Sequence, residues 1–169
     1  MLTWGARAYL QYGVYLLLFL VAWRRGDAPE RILAGIMLGM VMVDRIYHLG
    51  RGSDLLVYYG VDVVHLAIDM SSLLGIGYVA LHANRVYPLW IGGAQIIAFS
   101  SHFYRLGIVD VHTTAYQVMA IIPSYVQLLA MALGLVFHAR RRKTRGSYPS
   151  WRKSFAPSSE SGARSLHAA

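Results

Sequence analysis

Apolar residues in this chain fall into five blocks, roughly Tyr9 to Trp23, Ile32 to Leu49, Tyr58 to Leu81, Tyr87 to Tyr104 and Thr114 to Phe137. Each is near the ~20 residues that a helix needs to cross a ~30 Å hydrocarbon core, so the pattern predicts an all-α polytopic membrane helix bundle of five transmembrane spans. In the second block only Ile32 to Val43 is free of charge. That block works as a span only if Asp44 and Arg45 face protein rather than lipid. The first block is not a cleavable signal peptide by its flanks: a single Arg7 precedes it, Arg24 and Arg25 follow it, and no small-x-small site comes after.

Ionisable positions within the blocks do not scatter. Asp44, Arg45 and His48 end the second span, and Asp62, His65 and Asp69 begin the third. His102 and Arg105 end the fourth, and Asp110 and His112 precede the fifth. In an antiparallel bundle all of these lie at one end, while the opposite halves of the spans read as almost purely apolar. On the third span Tyr58, Asp62, His65, Asp69 and Ser72 form one narrow stripe, which must face the bundle interior. If Tyr58 and Tyr59 mark the boundary, Asp69 lies roughly 16 Å below it at 1.5 Å per residue, near mid-membrane. A carboxylate that deep is protonated, paired with Arg or His, or bound to a cation. Neighbouring spans offer partners: Asp44, Tyr47 and His48 share a face, as do Gln95, Phe99 and His102, and Thr113, Gln117, Ser124 and Gln127.

Composition strengthens the membrane assignment, because 56% hydrophobic and 14% charged residues lie outside the range of a soluble globule. The chain has no cysteine, which removes disulfides, thiolate metal sites and cysteine nucleophiles. Lys and Arg set the orientation. With the C-terminus inside, twelve basic residues are cytoplasmic (Arg24, Arg25, Arg31, Arg85 and eight from Arg140 to Arg164) against Arg7, Arg45, Arg51 and Arg105 outside. The N-terminus is then outside, and the polar cluster faces outward.

Three chemistries suit a convergence of Asp44, Asp62, His65 and His102. A divalent metal held by Asp44, His48, His65 and His102 would give a metal-dependent membrane hydrolase, with Asp62 or Asp69 as the catalytic base. No HExxH motif accompanies these residues. His65 and His102 on adjacent spans would alternatively ligate a haem or a chlorophyll-type pigment. Asp69, His65 and Asp62 would also make a proton or ion ladder, although none continues to the cytoplasmic side. Against all three stands a structural network of ion pairs and hydrogen bonds holding the helices together, which the near balance of acidic and basic groups favours.

Gly35 and Gly39, and Gly75, Gly77, Gly92 and Gly93 where the third and fourth spans meet, predict close helix approach. Pro123 predicts a kink in the fifth span, with Ser124 or Gln127 able to satisfy a freed carbonyl. Met37, Met40 and Met42 read as core filler. Residues 1–138 form the bundle and 139–169 a basic, Ser-rich tail, which lacks apolar periodicity and is expected to be disordered unless docked. The tail's Arg140 to Arg145 cluster suits anionic lipid or an acidic protein surface rather than nucleic acid. The preferred reading is a small accessory or structural subunit of a larger complex in a bacterial inner membrane, partnered by other membrane subunits. The hydrolase and the haem or pigment protein are the alternatives.

Overall fold

Short polar breaks between the apolar blocks become tight turns between antiparallel helices. A computed structural model describes residues 4–51, 63–107, 113–146 and 150–152, and among these it has five α-helices. They are α1 (Trp4–Arg25), α2 (Ala28–Arg51), α3 (Val63–His82), α4 (Tyr87–Gly107) and α5 (Thr113–Arg145). Tyr58, Asp62, Asp110 and His112 lie outside the described residues, as do the side chains of Arg105, Thr113 and Gln117.

Gly26 and Asp27 alone separate α1 from α2. The Gly26 amide closes on the Ala22 carbonyl at 2.8 Å, and the Asp27 amide donates to Glu30 Oε2 at 3.1 Å, half of a capping box that starts α2. A Cβ at position 26 would lie 2.6 Å from both the Ala22 carbonyl oxygen and Glu30 Cβ, so only glycine fits this turn.

Each helix packs on its neighbours in sequence, and α5 returns to pack on α1 as well as α4. Leu33, Met37, Ile76, Val79, Ile91 and Met131 fill the core, contributed by α2, α3, α4 and α5. Outside this core the bundle is inverted relative to a soluble protein. Leu17, Trp23, Leu74, Trp90, Ile97, Leu129 and Phe137 point outward, while Glu30, Arg85, Gln95, His102, Gln127 and His138 are buried. Apolar exterior and bonded polar interior are what a hydrocarbon solvent demands. Three helical segments, Ala28–Gly50, Val63–His82 and Ile121–Thr144, are long and apolar enough to cross a membrane.

Several local expectations are revised. Gly75 meets Ile36 of α2 rather than α4, at 2.8 Å from an added Cβ. Gly92 does touch α3, but Gly39, Gly77 and Gly93 face open space, so the Gly35/Gly39 pair is no tight seam. Ser124 bonds the Ile121 carbonyl three residues back, and Gln127 is engaged with Gln95, so the carbonyl four residues before Pro123 receives neither. The basic segment is not irregular from residue 139: α5 continues to Arg145, because the polar face of its last turns lies beyond the core. Residues 150–152 return to the bundle, with Trp151 in an antiparallel bridge to Ala83 and packed against the core.

Candidate functional site

At the end of the bundle where α2 finishes and α3 starts, Asp44 and His48 occupy successive turns of α2 and face His65 of α3. His65 Nε2 lies 2.9 Å from Asp44 Oδ1, His48 Nε2 lies 3.7 Å from the same oxygen, and the two imidazole Nε2 atoms are 3.2 Å apart. The edge of Tyr47's ring rests on His65 and limits its orientation. Exposure falls from His48 (43%) through Asp44 (35%) to His65 (26%), so the group opens outward at His48. Two ligands bound to one tetrahedral zinc at 2.0–2.1 Å are about 3.3–3.4 Å apart, so these separations bracket the edge of a coordination tetrahedron. A carboxylate and two imidazoles is a donor set that zinc and related divalent ions accept.

One turn deeper on α3, a second group begins. Asp69 Oδ2 accepts from His102 Nε2 of α4 at 2.7 Å, and Asp69 Oδ1 accepts from Gln95 Nε2 at 3.0 Å. Gln95 Oε1 in turn accepts from Gln127 Nε2 of α5 at 2.6 Å. Gln95 and Gln127 are fully buried, so this chain ties α3, α4 and α5 together where each lost bond would leave an amide in an apolar medium.

The sequence-predicted residues therefore sort into two groups. Asp44, His48 and His65 come together, whereas His102 sits with Asp69 and Gln95 rather than completing a four-ligand set. His65 and His102 each turn Nε2 to a different carboxylate, which is not how two axial ligands of one porphyrin are disposed. Below Gln95 and Gln127 the interior is apolar, with Ile76, Ile91, Met131 and Leu135 in the way, and no polar ladder crosses it among the described residues.

A third polar group lies at the opposite end, where sequence reading expected almost none. Arg85, in the α3–α4 turn, reaches Glu30 Oε1 at 2.8 Å through Nε and Asp27 Oδ2 at 3.0 Å through Nη2. Tyr87 donates its hydroxyl to Glu30 Oε1 at 3.1 Å, Ser150 donates to Asp27 Oδ2 at 2.9 Å, and His138 Nδ1 lies 3.9 Å from Glu30. Asp27, Glu30 and His138 also offer three potential metal donors within a small space. Here, however, a guanidinium already bridges both carboxylates, and a second cation would meet its charge at contact distance. This group is a clamp joining the two turns, α5 and the returning C-terminal segment. Its signals in sequence were the capping-box spacing Asp27 to Glu30 and a lone arginine in a short turn.

The chain matches no family model, no curated protein and no solved structure.

Proposed function

We propose that this chain is a five-span integral protein of a bacterial inner membrane, N-terminus outside, binding one zinc-class divalent ion at Asp44, His48 and His65 on the outer side. The observation that carries the reading is the meeting of three donor atoms from two helices at 2.9, 3.2 and 3.7 Å. Asp44 has two imidazoles as its recorded partners among the described residues, unlike the Arg85-bridged group at the other end. Apolar helix exteriors and the excess of Lys and Arg toward the C-terminal side support the spans and their orientation.

An ion with three protein ligands keeps a coordination position for water and makes that water acidic, which is the starting point of metal-assisted hydrolysis. His102, held in one orientation by Asp69, is the nearest described imidazole–carboxylate pair and stands about one helical turn deeper along α3. It is suited to accept a proton within the bundle.

Elemental analysis of the gently purified protein tests the reading. About one equivalent of zinc, manganese or iron is expected, falling to background in His48→Ala and His65→Ala but retained in His102→Ala. A metal-free wild type carrying stoichiometric partner subunits would instead support the accessory-subunit reading, which the fully bonded Asp69–Gln95–Gln127 chain favours as structural glue. It would remove the metal site.

A further inference from the structure

At the end of the bundle that holds the Arg85 clamp, a cavity of about 570 Å³ opens between the α3–α4 turn and α5. Its charged lining is all basic: Arg85, Arg141, Arg152 and, when protonated, His138, with no carboxylate among the residues that form it. Arg85 is committed to Asp27 and Glu30, so the charge available at the mouth is that of Arg141 and Arg152, with the Asn84 side chain beside them. Arg152 is held there by backbone pairing, its amide donating to the His82 carbonyl at 2.9 Å while the Asn84 amide donates to the Ser150 carbonyl at 3.1 Å.

The same cavity runs on into a second one along the outside of the bundle. Val86 and Leu89 line both, and from there an almost wholly apolar groove of about 650 Å³ follows α4 and α5 past Trp90 and Ala94 to Ile97 and Pro123. From Val86 to Ile97 the groove is roughly 16 Å long at 1.5 Å per residue, matching half of a ~30 Å hydrocarbon core. Gly93 keeps it open: a Cβ there would meet nothing within 4 Å.

A basic mouth at the membrane boundary, continuous with an apolar channel one leaflet deep, has the shape and charge of a single amphiphile. We infer that this groove binds a phospholipid with an anionic, phosphate-bearing headgroup, the phosphate at Arg141 and Arg152 and one acyl chain along α4 and α5 past Gly93. The inference does not depend on the metal site at the other end. It gives the returning segment Ser150–Arg152 a task, since lipid and bundle both hold Arg152 in place.

Native mass spectrometry of the full chain, released from detergent with phosphatidylglycerol or phosphatidylcholine, tests this. Wild type should retain phosphatidylglycerol preferentially. Arg141→Gln/Arg152→Gln should lose that preference by about 25-fold, taking about fivefold for each arginine near a charged headgroup. Arg24→Gln/Arg25→Gln, a basic pair at the same end but off the groove, should leave it unchanged. Gly93→Leu should weaken retention of both lipids, because the side chain fills the groove from a position with room for it. Equal retention of the two lipids by wild type would overturn the inference. So would an equal loss in the two arginine pairs, which means diffuse surface attraction. Displacement by inorganic phosphate with no effect of Gly93→Leu would mean a free-anion site and would also overturn it.

Discussion

Glu30→Ala is the sharpest perturbation of the clamp that joins the two inner turns. Glu30 has no exposed side-chain surface and Arg85 only 5%, and the two meet at 2.8 Å. Removing one member of a buried pair costs about 3–5 kcal/mol, because the other charge is left behind. Arg85 keeps Asp27 at 3.0 Å, and that carboxylate is about a third exposed, so the lower end of the range applies. Loss of the acceptor for the Tyr87 hydroxyl adds about 1 kcal/mol. The two terms share a network and do not simply add, so the expected total is about 3–4 kcal/mol. At about 2–4 °C per kcal/mol for a chain of this size, the thermal midpoint in detergent should fall by roughly 10 °C. Circular dichroism or intrinsic fluorescence reads this directly. Glu30→Leu/Arg85→Leu, which removes both charges, should recover most of the loss, since an apolar pair of similar volume is close to neutral. A Glu30→Ala midpoint within about 2 °C of wild type would refute the clamp and with it the use of the principle here.

Other substitutions test separate parts of the account. Gly134→Ala would place a Cβ 2.6–2.8 Å from the ring of Tyr87, which is itself hydrogen-bonded to Glu30, and should destabilise by about 1–3 kcal/mol. Gly93→Ala faces open space and should change unfolding in mixed micelles little by comparison. Gln95→Leu removes the donor to Asp69 and the acceptor for Gln127, with an expected cost of about 1–2 kcal/mol in a denaturing-detergent titration. Trp151→Ala should release the C-terminal segment, so that trypsin cuts after Arg145 several-fold faster while the bundle resists. An unchanged cleavage rate would show that the Ala83–Trp151 bridge does not hold the segment.

Helices were legible in the sequence because burial in lipid needs long apolar blocks, and block length together with the turn residues at Gly26–Asp27 and Asn84–Arg85 sets their number and ends. Helical spacing likewise put Asp44 with His48, and His65 with Asp69, on common faces. What it did not carry was partner choice across helices. His102 meets Asp69 because of the rotation and relative depth of α3 and α4, which no periodicity within one helix encodes. The inner clamp was hidden for a different reason. Asp27 and Arg85 are 58 positions apart, each just outside an apolar block, where acidic and basic residues ordinarily read as caps and orientation signals. The tail's return was hidden too, since three residues of bridge pairing leave no pattern in a Ser- and Arg-rich segment.

The most direct test of the central claim is an X-ray absorption spectrum of the zinc-loaded protein in lipid nanodiscs, compared with His65→Ala. The account predicts a shell of nitrogen and oxygen at about 2.0–2.2 Å with the outer-shell signature of two imidazoles, reduced to one or lost in the variant. A spectrum of hydrated zinc, or one identical in wild type and His65→Ala, would contradict it.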